Sequence, residues 1–324
     1  MIDFRYHLVS IVAIFLALAV GIVMGTTLLQ EPAIELAKKT SDDLTKANYG
    51  LRTDLDTLRG REAANDAFIT SLTPEVVGGT LTGQRVLLVD TPGSSAANRE
   101  AEQQILAQAG AVYAGRVTLS ETFLDSQRSG VIENLTTQLK PGAMTFEPAA
   151  SVYDKAATLL GAALLTNDPA QAGTPNNATA GVLDGFERAN LLTVDGDPTK
   201  RATVAVMFAP EKPFDGEHAE IQSAALVSLA GGLDAAGKGT VVAGTASTSA
   251  VAGGLISAVR DDSEVAKRVS TVDTADMPAG RVVVVYALRE QLSGRAGQYG
   301  VGTGASAPQP AAPTPTASPT QSGS

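Results

Sequence analysis

The hydrophobic pattern changes character along the chain. From Leu8 to Leu29, 22 successive residues carry no charge. As a helix rising about 1.5 Å per residue, that stretch reaches across a hydrocarbon core of roughly 30 Å, which predicts one membrane-spanning anchor over residues 8–29. Asp3, Arg5 and His7 form a polar cap before it, over residues 1–7, and Glu31 is the first charge after it. A secretory signal peptide is the competing reading, but its apolar stretch covers about 7–15 residues and ends at a small-residue cleavage motif. This stretch is longer and closes in Gly25-Thr-Thr-Leu-Leu-Gln30 without an A-x-A site. Within it Ala13, Ala17, Gly21 and Gly25 recur every four residues and line one face, a spacing that lets two helix backbones approach closely.

Residues 30–73 then take up a heptad pattern. Ile34, Ser41, Asn48 and Leu55 fall at one seam position, and Ala37, Leu44, Leu51 and Leu58 at the other. This predicts a short parallel coiled coil, with the polar Asn48 fixing register at some cost in stability. The alternative is one amphipathic helix folding back on the rest of the chain. Four heptads are marginal alone, and tethering by the anchor raises the local concentration of partners, so the expectation is a homodimer through anchor and stalk. Leu72-Thr-Pro74 and Gly78-Gly79 mark the end of the stalk.

Past that boundary, β-rich apolar runs alternate with helical patterns. The runs predict strands at 85–90, 112–119, 191–194, 203–208, 240–243 and 282–286, and helices at 98–109, 152–165, 218–229 and 250–269. Continuous Val/Leu strands between amphipathic helices imply an α/β domain over residues 80–295, Rossmann-like or flavodoxin-like, with a mostly parallel sheet covered on both faces. Residues 296–324 lack charge and carry five prolines between Pro308 and Pro319, which reads as a disordered tail. It is either a cell-wall spacer, a glycosylation target or a dispensable terminus.

Motifs for chemistry are weak. Gly232-Leu-Asp-Ala-Ala-Gly237-Lys238 has P-loop spacing, but Gly239 stands where a magnesium-binding Ser or Thr belongs, and the motif follows a helix. It reads as a helix C-cap turn. Asp90-Thr91-Pro92-Gly93-Ser94 follows the first strand, where α/β folds place ligands, so it is kept as a candidate ligand loop beside the reading of an ordinary turn. Asp195-Gly-Asp197 lacks the downstream glutamate of a calcium loop. The two histidines, His7 and His218, have no G-x-S-x-G elbow to serve. No catalytic residue, cofactor or metal site is assigned, and the expectation is a non-enzymatic protein. A net charge of −10 argues against nucleic acid or an anionic lipid surface as ligand. The chain has no cysteine, so neither disulfides nor thiolate metal sites are available.

The opening Asp3-Phe4-Arg5-Tyr6-His7-Leu8-Val9-Ser10 and its apolar helix resemble the actinobacterial MctB family, also called SteB-like. Val269-Ser-Thr-Val-Asp273 and Gly280-Arg-Val-Val-Val-Val285 carry the likeness further along the chain. The resemblance implies an N-terminal anchor, a short coiled coil and an envelope-side α/β domain, with the N-terminus cytoplasmic and the C-terminal domain extracytoplasmic. Lys38, Lys39 and Lys46 lie among Glu31, Glu35, Asp42 and Asp43, so flanking charge adds little to that orientation. The family is labelled a copper transporter or outer-membrane copper channel, and some members are tied to envelope assembly at division with a second membrane protein.

The residues weigh these two roles differently. Cu(I) prefers thiolate, thioether and imidazole ligands. Met1, Met24, Met144, Met207 and Met277 are scattered singly with no M-x-x-M or H-x-x-M spacing. An outer-membrane barrel needs many alternating strands of about ten residues, and these strands are short and continuously apolar. The residues alone therefore rank a membrane-anchored dimeric scaffold or regulator of envelope assembly and septal remodelling first. A pore-forming copper efflux protein comes second, and a small-ligand sensor acting through Asp90–Ser94 third.

Overall fold

The computed structural model describes residues 4–311, with the side chains of Phe4 and residues 27–33 outside the description. The expected cap before residue 4 and the tail beyond residue 311 lie outside the described residues. The chain divides into two compact units between Asn65 and Asp66. Helix α1 (Phe4–Val77) supplies the first unit and the opening turns of the second. Residues expected to cap the anchor, from Phe4 to His7, are already helical.

The second unit alternates strand and helix. In chain order it contains β1 (Arg85–Asp90), α2 (Ala96–Gln108), β2 (Val112–Leu119), α3 (Ser129–Leu139), α4 (Val152–Leu164), α5 (Val182–Arg188), β3 (Leu192–Asp195), β4 (Val204–Phe208), α6 (Ala219–Ala236), β5 (Thr240–Ala243), α7 (Leu255–Asp261), β6 (Ser270–Val272), α8 (Pro278–Gln291) and β7 (Gln298–Tyr299). The seven strands form one sheet in the order β3-β2-β1-β4-β5-β6-β7. All neighbours pair in parallel except β2 and β3, which are antiparallel. The chain reverses its direction of strand addition between β1 and β4, the switch point of a doubly wound sheet.

Both faces of the sheet are buried, as parallel sheets require. On one face Leu87, Val89, Ala205 and Met207 pack against α3 to α7. On the other, Val86, Leu88, Val204, Val206 and Val241 meet Val77 at the end of α1, α2 and α8. Helices α4 and α6 cross through small residues: a Cβ on Gly232 would lie 2.6 Å from that of Ala157, and one on Gly161 would lie 2.5 Å from the Gly232 carbonyl oxygen. Gly232 is therefore a packing residue inside α6, and the C-cap turn of the Gly232–Lys238 motif falls at Gly237.

The structure departs from the sequence expectations at four places. Residues 282–286, read as a strand, lie in α8. Pro278 opens that helix, and Val282, Val283, Val284 and Val285 are all buried against the sheet. Burying a valine contributes about 2 kcal/mol, whereas its helix penalty relative to alanine is under about 0.7 kcal/mol, so packing overrides the β-branched run. The helix expected over 250–269 shrinks to α7, because Gly253 and Gly254 precede it and the Asp262 carboxylate accepts from the backbone N–H of Glu264 and Val265 after it. Helix α1 continues through Pro74 to Val77, its last turn held by the buried Thr73 and Val77, and ends where Gly79 takes a positive φ.

The fourth departure concerns the segment assigned to the tail. Its first part carries β7, which pairs with β6, and Gly300 N–H then donates to the Ala307 carbonyl. A buried ion pair anchors this segment. Arg260 Nη2 lies 2.9 Å from Asp273 Oδ2, with both side chains almost fully buried. The remaining capacity is spent on the strap. Asp273 accepts from Val301 N and Gly302 N at 2.8 and 3.0 Å, while Arg260 donates to the carbonyls of Tyr299 and Thr303. Gly300 is required there, since a Cβ would lie 1.9 Å from Asp273 Oδ1.

Removing one partner of such a pair leaves an unpaired buried charge. Asp273→Ala is expected to lower unfolding stability by about 3–5 kcal/mol and to expose the 298–307 amides to hydrogen exchange before the rest of the sheet. Chemical denaturation and exchange mass spectrometry read the two effects.

Candidate functional site

Three places carry candidate chemistry: the α1 surface of the first unit, the loop after β1, and buried charges in the second unit. In the first unit α1 presents its apolar residues to the outside. The segment Arg5–Thr26 is long and apolar enough to cross a membrane, and none of it is buried. On its small-residue face Gly21 and Gly25 have open space where a Cβ would stand. Farther along, the seam residues Ile34, Leu44, Leu51, Leu55 and Leu58 are each at least half exposed. Ala37 and Asn48 share that exposed surface. Among the described residues one helix thus exposes two stripes, of small residues first and leucines after.

In the second unit, the loop after β1 sits at the switch point but is committed to internal bonds. Thr91 Oγ1 donates to the Phe208 carbonyl at 2.6 Å, Ser94 bridges to Pro210, and Glu211 N–H donates to the Gly93 carbonyl at 2.8 Å. Gly93 adopts φ +77°, which lets the turn fold tightly onto the loop after β4. The space left between Ser95, Asn98, Pro210, Gly244 and Thr248 is about 10 Å³, room for one water at most. The four residues expected to form a ligand loop, Asp90, Thr91, Gly93 and Ser94, come together at the switch point, with Asp90 and Thr91 buried, Ser94 half-buried and Gly93 exposed.

Asp90 is the most constrained of these. Its Oδ2 accepts from Arg99 Nη1 of α2 at 2.7 Å and lies 3.4 Å from Thr118 Oγ1 and 4.0 Å from Arg116 Nε of β2. Arg116 reaches on to Asp195, opposite it in the β2–β3 register. Asp90 Oδ1, Arg99 Nε and Arg116 Nε are buried without a hydrogen bond. Strand, helix and edge strand are thereby tied by alternating charge.

One turn farther into α2 lies Glu102, which the sequence patterns did not single out. Its carboxyl group is fully buried and neither oxygen finds a hydrogen-bond partner. Burial pushes its pKa well above the ordinary 4.5, opposed by the guanidinium of Arg281 on α8. A burial-driven rise of this kind opposes ionisation of the carboxyl group. The local signal is obscured, because Glu102 stands in a run, Asn98-Arg-Glu-Ala-Glu102, that reads as an exposed helix face.

Copper donors remain dispersed. Met24 lies exposed in the apolar segment, Met207 is fully buried in β4, Met144 is half-buried, and Met277 precedes α8. His218 precedes α6 on the surface. Among the described residues no three His, Cys, Asp or Glu side chains converge as a metal-holding group.

A raised carboxyl pKa favours the folded state below pH 4.5, and that contribution is lost as pH climbs through the raised folded-state value. Glu102→Gln removes the titrating group while keeping its shape. The variant is expected to melt above the wild type at pH 7, with the difference shrinking as pH falls towards 4.5; thermal unfolding across that range measures it.

Comparison with known proteins agrees with the family resemblance of the chain. The family model described as copper transport outer membrane protein, MctB, matches residues 1–310. The copper transporter MctB of Mycobacterium tuberculosis is 29% identical over 312 residues, covering 94% of this chain and 98% of that protein. Its counterpart in Mycobacterium leprae is 29% identical over 314 residues, with the same coverage. With nearly the whole length matched in both directions, this chain belongs to the MctB family.

Proposed function

We propose that this chain serves copper transport at the cell envelope as a membrane-anchored, self-associating component. The observation that carries the proposal is the match along almost the full chain to relatives named copper transporters. The residues alone rank a scaffold above copper efflux, and the names of the relatives support putting copper transport first. In this reading the helix over residues 8–29 crosses the membrane with its N-terminus in the cytoplasm, and the α/β domain stands on the far side.

The physical chemistry constrains how such a component works. Dispersed methionines and the absence of cysteine argue against a tight copper site in one chain. Short parallel strands covered on both faces argue against a barrel of its own. Any conductive path has to come from association. The small-residue stripe of the anchor and the exposed leucine seam of the stalk are the surfaces for a parallel homodimer. Catalysis has no part in the proposal.

A second reading is a non-enzymatic scaffold or regulator of envelope assembly and septal remodelling, acting with a second membrane protein. The exposed stalk seam and the poor copper donor set favour it. The sensor reading loses ground at Asp90 and Thr91, whose side chains are buried and bonded within the fold.

Deletion of the gene, scored for growth and septation with copper raised and with copper chelated, separates the two roles. Copper transport predicts growth that fails only as copper rises, with normal septa. Chained or misdivided cells that persist under chelation would transfer the function to the scaffold reading. In either case Leu44→Gln/Leu51→Gln/Leu58→Gln is expected to lose self-association in detergent by light scattering. At equal membrane abundance it is also expected to fail to restore the deletion.

A further inference from the structure

The carboxyl ends of β1 and β4 flank a second opening, on the outer side of the closed switch-point loop. It is a cleft of 860 Å³ between Pro92 and Gly93, the 210–215 loop, the turn Glu121–Leu124 and Gln222 of α6. Leu124 and Phe214 form its apolar floor, with prolines from both loops beside them. Three carboxylates, Glu121, Glu211 and Asp215, stand around it against one cation, Lys212. No side chain of these four makes an ion pair or hydrogen bond among the described residues. The walls are fixed, however. Glu211 N–H donates to the Gly93 carbonyl and Phe214 N–H to the Gly253 carbonyl, at 2.8 and 3.0 Å.

We infer that this cleft docks an extended basic segment of a partner protein, with an apolar side chain over Leu124 and Phe214 and lysines or arginines along the rim that carries Glu121, Glu211 and Asp215. Charge complementarity selects that occupant. Phosphate-bearing ligands and anionic lipid meet three carboxylates. A second copy brings another chain of net charge −10 to an acidic rim. A bare divalent ion lacks convergent ligands, since no three acidic or imidazole groups gather among the described residues. A peptide cation with an apolar neighbour satisfies both floor and rim, and a preformed wall spares the cost of ordering it. The inference stands apart from the copper proposal, because it uses neither the anchor nor the stalk.

The test uses the full chain in a neutral detergent. The probe is a fluorescent peptide with lysines and arginines around a central leucine, compared with the same peptide carrying glutamates in place of the basic residues. Fluorescence anisotropy is expected to show binding of the basic peptide alone, weakening as salt is raised. Glu211→Lys/Asp215→Lys, with its thermal unfolding unchanged, is expected to weaken that binding by about tenfold. Glu264→Lys, a charge reversal on the surface away from the cleft, is expected to leave it unchanged. Equal binding of both peptides, or basic-peptide affinity indifferent to the double reversal, overturns the inference. So does a double variant that changes the oligomeric state by light scattering while the wild type binds neither peptide, which would make the cleft a contact between copies.

Discussion

A parallel sheet is stable only when both faces are covered, and in this protein the covering of the second face governs the rest of the architecture. Helices α3 to α7 close one side. The other depends on α2, the end of α1 and above all α8, whose four consecutive valines are buried against the strands. Gly280 lets the start of that helix sit on the chain leaving β6, where a Cβ would fall 1.7 Å from the Thr274 carbonyl oxygen. Tyr286 of the same helix donates to the Val76 carbonyl near the end of α1. The stretches around Asp273 and Gly280 are thus elements of one packing arrangement. Asp273 holds the strap after β7, and Gly280 admits the helix that covers the sheet.

The switch point shows how a fold can be kept while its usual use is not. Doubly wound sheets leave a crevice at the carboxyl ends of the strands where the chain reverses direction. Here the loops after β1 and β4 hydrogen-bond to each other across it, and Thr91, Ser94 and Ser249 spend their hydroxyl or backbone groups on that closure. A doubly wound sheet order therefore carries no functional weight by itself, and function has to be argued from surfaces.

Those surfaces differ in kind. Along α1 they are apolar and periodic, suited to a membrane and to another helix. At the carboxyl edge of the second unit they are acidic around an apolar floor. A protein that works by assembly needs surfaces of this sort more than an enclosed site. Membership of the MctB family and one N-terminal apolar helix fit a membrane-anchored protein, and the methionines of this chain stand singly.

Features whose cause lies within a short window were legible in the residues alone. The uncharged run from Leu8, the heptads from Ile34 to Leu58, the apolar strands β1, β2, β4 and β5 and the turn at Gly237 each arise from composition or period alone. Tertiary structure decided what depends on residues distant in the chain. Val282–Val285 form helix instead of strand because the sheet they cover is built by β1, β4 and β5. Residues 298–307 are ordered because Arg260 and Asp273 turn buried charge towards their backbone groups. The Asp90 loop reads in sequence as an ordinary turn or a ligand turn, and its bonds to the loop after β4 come into view only in the folded chain. Local periodicity records which side of an element is buried. What buries it, and which charges meet there, exists only once the strands are in order.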